Sequence, residues 1–300
     1  MKMKKQIQGS IFLLLATVIW GSAFVAQSMG MDHIGPFTFQ AVRCGLAVIG
    51  LLPAIWFADR GKNDGMTFIS RWKDKKLWKA GLLCGIPLFL AINLQQVGII
   101  YTDAGKSAFL TAMYIIIVPL LGLFFRRKPS KMIPVSVALA VAGLYLLSCA
   151  GVSRINKGDI CLIGGAFMFA VQIIFVDRFA GEVDALRLNC IQALVSSAAS
   201  AVLMVFTEAP TWAAVSACWL PLCYAGFLSM GAAYSLQIIG QKTLEPTAAS
   251  LIMSLESVFA AVFGWLILHE TMTISETVGC VLVFAAVILS QIPLPQKKSA

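Results

Sequence analysis

The sequence predicts an all-α polytopic membrane protein of ten transmembrane helices, built as two inverted five-helix repeats. Three observations predict it. Apolar runs long enough to cross a bilayer recur along the whole chain, and lysine and arginine collect in alternate connections. A short pattern, Leu-Gln-x-x-Gly, is written twice, at Leu94, Gln95 and Gly98 and again at Leu236, Gln237 and Gly240, an offset of 142 positions.

The composition excludes a soluble domain. The chain has 300 residues, 59% of them hydrophobic and 12% charged, whereas about a quarter of the residues of a soluble domain are charged. Mean hydropathy is +0.85. A net charge of +9 would suit a nucleic-acid binder, but the basic residues fall between the spans and set topology instead, so the lipid bilayer is the expected partner and nucleic acid is not. Cysteines 44, 84, 149, 161, 190, 218, 223 and 280 lie in or beside apolar segments without a Cys-x-x-Cys spacing, as small buried hydrophobes do. His33 and His269 sit far apart in short connections, and neither a metal site nor a cofactor is expected.

About 20 apolar residues cross the hydrocarbon core. On that measure the spans are 9–29, 36–57, 78–100, 104–124, 132–150, 158–177, 185–206, 214–239, 246–268 and 274–292. Lys2, Lys4 and Lys5 ahead of the first run resemble a signal peptide. The run is long, no Ala-x-Ala site follows and further spans come after it, so it reads as a retained helix. The link 58–77 is rich in lysine and arginine, with Trp72 and Trp78 as interfacial anchors. With the N-terminus inside, 19 lysines and arginines fall on inside segments. Only Lys106, Arg154 and Lys157 fall outside, and Arg43 lies within a span. This bias places both termini in the cytoplasm of a cell whose inner membrane holds the protein. One missed or false span would invert every later loop and destroy it.

Ten spans divide five and five around Ser153–Lys157, giving a first repeat over 9–150 and a second over 158–292. Helices three, four and five align with eight, nine and ten at the constant offset of 142: Gly122 falls on Gly264, Val141 on Val283, and Leu147-Ser148 on Leu289-Ser290. The first two helices of each half align loosely, apart from Gly9 with Gly158 ahead of them. Five is odd, so equivalent helices run in opposite senses. Inverted repeats with a site at their interface near the midplane are the architecture of secondary transporters.

Charges inside the hydrocarbon cost several kcal/mol unless paired or wetted. Glu256 lies about ten residues into helix nine, ~15 Å deep at ~1.5 Å per residue. Arg43 lies in helix two. A structural salt bridge between the two, or Arg43 reaching outward to the interface, is the bland reading. The functional reading makes Glu256 the carrier of a coupling proton or the holder of a cationic substrate group. The repeat offset maps Glu256 onto Tyr114, midway along helix four, so both should approach one central cavity. A second tier comprises Trp20, Gln40, Asn93, Gln95, Gln172, Tyr234 and Gln237. Such amides often only knit helices together, at about 0.6 kcal/mol each; as a set drawn from both halves they point to a polar cavity. Pro119 should bend helix four.

The segments together resemble the EamA family of the drug/metabolite transporter superfamily. The resemblance is carried by Ala233-Tyr234-Ser235-Leu236-Gln237, Gln241-Lys242, Ala248-Ala249, Leu255-Glu256-Ser257-Val258-Phe259 through Gly264-Trp265, and His269-Glu270. Further matches are Tyr101-Thr102-Asp103-Ala104-Gly105, Ala108-Phe109-Leu110, Val118-Pro119-Leu120-Leu121, Trp20-Gly21, and Pro36 with Arg43. It spans the whole chain as two repeats. It implies a ten-helix inner-membrane carrier exporting amino acids or other small metabolites, with Glu256 a typical residue of helix nine.

The function expected is a secondary carrier for a small amino-acid-like or amphipathic metabolite, working in export by alternating access, with protons as an optional second substrate, as a monomer or homodimer. The alternative in the same class is an uncoupled facilitator or channel, since one intramembrane carboxylate is scant coupling machinery. A membrane-embedded enzyme would need clustered acids, histidines or an activated nucleophile, which the spans lack, so no enzyme is expected. A pure scaffold gains nothing from a buried glutamate.

Overall fold

The computed structural model describes residues 2–62, 65–101, 104–124, 132–148, 156–268 and 272–291. Among them the chain forms ten helices. These are α1 (Lys2–Met31), α2 (Pro36–Arg60), α3 (Lys75–Tyr101), α4 (Ala104–Ala112 and Tyr114–Phe124), α5 (Ile133–Ser148), α6 (Lys157–Ala180) and α7 (Ala185–Thr207). Then follow α8 (Trp212–Ala217, Trp219–Cys223, Tyr224–Ala233 and Tyr234–Gln241), α9 (Pro246–Met253 and Leu255–Leu268) and α10 (Ile274–Gln291). A 3-10 turn, Ser70–Lys73, precedes α3. The basic residues at 126–128, 131, 154, 297 and 298, with Cys149, His269 and Glu270, lie outside the described residues.

The ends are set by local chemistry. Pro36 and Pro246 open α2 and α9 after extended Gly35 and Glu245, where the absent proline N–H costs nothing. Asn156 and Asp159 form a reciprocal capping box on α6. Asp184 accepts from the Arg187 N–H at the start of α7. The outward faces are apolar, with Ile49, Phe57, Val205, Phe206, Val281 and Ile288 exposed. Eight of the helices have the length and hydropathy of a membrane span, while Ile133–Leu147 and Ile274–Ser290 are shorter. This is a multi-pass membrane protein.

Packing between the halves is reciprocal. Helix α3 packs on α6 as α8 packs on α1; α3 packs on α7 as α8 packs on α2; and α1 packs on α9 as α6 packs on α4. The remaining large contacts, α2 with α7, α4 with α9 and α5 with α10, pair equivalent helices with each other. Glycine makes the closest approaches. A Cβ on Gly98 would stand 2.5 Å from Leu162 Cγ and 3.1 Å from the Gly158 carbonyl oxygen, and one on Gly240 would stand 2.8 Å from the Gly9 carbonyl oxygen. The glycines of the doubled motif thus meet Gly158 and Gly9, the pair that aligns ahead of the two repeats. Between α5 and α10, a Cβ on Gly143 would lie 2.8 Å from the Gly279 oxygen, and one on Gly279 would lie 2.5 Å from the Gly143 oxygen.

Three spans read as continuous from sequence are interrupted. Helix α4 breaks at Met113, where the Met113 N–H bonds back to Leu110 O in a tighter turn; Pro119 sits within the second segment, not at the break. In α9 the break is at Ser254, and Ser250 and Ser254 donate to the Thr247 and Leu251 carbonyls at 2.8 and 2.7 Å, back-bonding that bends helices. In α8 the Tyr224–Ala233 stretch is π-helical. Asn189 of α7 donates to the Met230 and Gly231 carbonyls at 3.0 and 2.8 Å, and an inserted side chain of this kind disturbs the regular ladder. The partners at the α4 and α9 breaks are local and that of α8 lies in another helix, and hydropathy reports none of them.

Candidate functional site

Tyr114 opens the second segment of α4, and Glu256 stands second in the second segment of α9. The Tyr114 Oη donates to Glu256 Oε1 at 3.0 Å. Both are buried, at 4% and 6% exposure. The helix breaks at Met113 and Ser254 immediately precede them, so backbone irregularity and the buried acid coincide, as in the discontinuous helices of transporters. Ser257, next to the acid, donates to Ala108 O of α4 at 2.9 Å and ties the two helices together.

The pair faces an internal cavity contributed by both halves. Trp20, Arg43, Gln95, Tyr114, Gln172, Tyr234, Gln237 and Glu256 line it, together with Phe24, Gln27, Thr111, Phe169, Ile173, Ser229 and Met253. It leaves about 40 Å³ for the centres of water-sized molecules, room for a few waters. Among the described residues, Arg43 and Glu256 are its sole charged side chains. They are not ion-paired. Arg43 Nη1 donates to Gln27 Oε1 at 2.8 Å, its Nε is buried without a partner, and at 2% exposure the side chain does not reach outward.

Aromatic and amide groups complete the wall. Trp20 meets Tyr234 edge-on, with ring centroids 4.9 Å apart, and the Trp20 Nε1 donor is buried without a partner. Gln95 donates to Thr111 Oγ1 at 3.2 Å. Gln237 donates to Gln172 Oε1 at 3.2 Å, Gln172 to Gln192 Oε1 at 3.4 Å, and Gln192 to Asn189 Oδ1 at 2.9 Å. This relay runs from the cavity to the π-helical stretch of α8.

Two of the residues singled out from sequence stand elsewhere. Gln40 donates to Ile92 O and Gln96 Oε1, both at 3.0 Å, and Asn93 donates to Phe89 O and Ser200 Oγ, both at 2.8 Å. Neither lines the cavity; they join α2 to α3 and α3 to α7. The sequence reading missed Gln27, Thr111 and Ser229. Gln27 carried a signal: Trp20, Phe24 and Gln27 follow the i, i+4, i+7 spacing of one helix face.

The fold is that of an all-helical, multi-pass membrane bundle with a polar cavity shared by its halves. The chain belongs to the EamA-like transporter family, whose model matches it twice, over residues 7–149 and 156–291. An uncharacterized transporter of Archaeoglobus fulgidus is 29% identical over 286 residues, covering 95% of this chain and 86% of that one. The uncharacterized transporter YoaV of Bacillus subtilis is 24% identical over 301 residues, covering 95% and 97%. A WAT1-related protein of Arabidopsis thaliana is 26% identical over 296 residues, covering 88% and 84%. A solved crystal structure superposes with a TM-score of 0.78 at 16% identity, over 94% of this chain and 96% of that one, and shows the same fold.

Proposed function

We propose that this protein is a secondary carrier exporting a small amino-acid-like or amphipathic metabolite across a bacterial inner membrane, both termini in the cytoplasm, with a proton exchanged at Glu256. The observation that carries the reading is the Tyr114–Glu256 hydrogen bond, made inside the cavity between residues 142 positions apart. That separation equals the offset of the doubled motif. The reciprocal packing of the halves supports an inverted repeat, and rocking of inverted repeats about a midplane site gives alternating access. With room for only a few waters in this conformation, the cavity admits a metabolite when the halves move apart. The separate charged groups Arg43 and Glu256 and the Trp20–Tyr234 face suit a ligand with both ionic and apolar parts.

The test begins with a thermal-stability screen of the purified protein against a metabolite panel, followed by transport of the hits in liposomes with and without a pH gradient. Acceleration of labelled efflux by unlabelled substrate on the far side supports a carrier, and its absence supports a channel. If Glu256→Gln transports with unchanged pH dependence, the proton role of Glu256 is wrong.

A further inference from the structure

At the end of the bundle that carries the 58–77 link, Trp72, Lys73, Lys75, Trp78, Lys79, Leu82 and Leu83 line an open groove of about 550 Å³, well away from the cavity. Trp78 is fixed across it, its Nε1 donating to Trp72 O at 2.7 Å. Trp72 is held in turn by the Arg187 guanidinium, 5.4 Å from its ring centroid. Lys76 is engaged by Glu182 at 3.0 Å. Lys73, Lys75 and Lys79 are exposed and have no ion-pair partner among the described residues. Asp74 stands between Lys73 and Lys75 in sequence and forms no ion pair with them. It accepts from the Lys76 backbone N–H at 2.8 Å and does not line the groove. Trp78, Leu82, Ile86 and Leu90, exposed at 41%, 46%, 53% and 37%, continue from the groove as one stripe along α3, the i, i+4, i+8 face of a helix.

We propose that this groove binds an anionic diacyl phospholipid, with its headgroup phosphate held by Lys73, Lys75 and Lys79 and its acyl chains laid along the Trp78–Leu90 stripe. Three lysines without ion-pair partners favour an anionic ligand, and basic pockets at the cytoplasmic ends of membrane helices hold such headgroups. The apolar floor and the stripe select a lipid. A soluble phosphate or a nucleic acid would engage the lysines alone, whereas a bound phospholipid engages the lysines and the Leu82–Leu90 stripe together. Paired tryptophans at the headgroup level are the expected interfacial anchors.

Native mass spectrometry of the full chain in mixed micelles tests this, with phosphatidylglycerol, phosphatidylcholine or glycerol 3-phosphate added. The expected result is an adduct with phosphatidylglycerol, weak or no adduct with phosphatidylcholine, and no displacement by glycerol 3-phosphate. The K73Q/K75Q/K79Q variant should bind phosphatidylglycerol roughly a hundredfold more weakly, on about 1 kcal/mol per lysine. A charge-matched K4Q/K5Q/K242Q variant should bind as the unaltered protein does, and far-ultraviolet circular dichroism checks that both variants fold. Equal binding of the two lipids, or unchanged affinity in K73Q/K75Q/K79Q, overturns the proposal. Full displacement by glycerol 3-phosphate overturns it in favour of a soluble-phosphate site.

Discussion

Tyr114 and Glu256 stand 142 positions apart, the offset of the doubled motif, and are hydrogen-bonded to each other at 3.0 Å. The pair joins one donor and one acid. Tyr114→Phe removes the donor and leaves a buried carboxyl unmatched, which should cost about 1–3 kcal/mol in stability. Glu256→Gln keeps an acceptor oxygen for Tyr114, so it should fold within about 1 kcal/mol of the unaltered protein while losing pH-gradient-driven transport. The exchange Tyr114→Glu with Glu256→Tyr restores the pair, and its Tm should exceed that of Tyr114→Glu alone. Thermal unfolding in micelles and liposome transport separate these effects. A swap no more stable than the single variant would mean the two positions are not equivalent.

The doubled motif makes a paired prediction about packing. Gly240→Ala places a methyl 2.8 Å from the Gly9 backbone oxygen, whereas Gly98→Ala meets chiefly the Leu162 side chain, with the Gly158 oxygen at 3.1 Å. Backbone cannot yield as a side chain can. Both changes should therefore destabilise, by about 1–3 kcal/mol as overpacking does, and Gly240→Ala more than Gly98→Ala. Gly122→Ala has nothing within 4 Å and should gain up to about 1 kcal/mol from helix propensity. Thermal melts of the three variants check the order.

What was legible in the sequence followed local rules. Span length and the lysine and arginine bias need no tertiary knowledge, and the ten helices appear where they predict. The Tyr114–Glu256 contact was legible because a constant offset converts a repeat into long-range geometry. The illegible features depend on azimuth and on distant partners. Gln40 and Gln95 are both amides in apolar helices, yet one is glue between α2 and α3 and the other lines the cavity. Arg187 counts as a loop charge in the sequence but is buried at 2% exposure. The π-helical stretch of α8 takes its side-chain partner from α7.

Arg187 anchors an ion network at the basic end of the bundle. Its two terminal nitrogens hold Asp59, one at 3.2 Å and the other closer, and Asp184 Oδ1 lies 3.7 Å away. Asp59→Asn leaves this buried cation with Asp184 as its remaining anion and should destabilise by about 3 kcal/mol, as removing one member of a buried pair does. Burial works to raise the Asp184 carboxyl, but the Lys62 ammonium, the Arg187 backbone N–H and the Arg187 charge outweigh it and hold the group below its ordinary value. A lowered carboxylate contributes stability above its unfolded value, near 4, and loses it as pH falls through the folded one. Acid below about pH 4 should therefore loosen this end, and Asp184→Asn should flatten that part of the Tm-versus-pH curve. An unchanged acid limb in Asp184→Asn would remove this group from the account.

Arg43 is the cavity's single cation among the described residues, and its hydrogen-bond acceptor is the neutral amide of Gln27. Gln27→Leu strands the guanidinium further and should cost about 1–3 kcal/mol. Arg43→Met combined with Gln27→Leu should cost less than the sum of the single changes, because each removes the other's orphan. A transported metabolite with a carboxylate would supply the anion that Arg43 lacks. On about 1.5–3 kcal/mol for a charged hydrogen bond, Arg43→Gln should then raise its half-saturating concentration roughly tenfold to a hundredfold. Arg43→Lys keeps the charge without the planar fork and should fall between the two. Metabolites without an anionic group should be indifferent to Arg43→Gln. If carboxylate substrates are indifferent as well, Arg43 serves the α1–α2 contact through Gln27 and not the ligand.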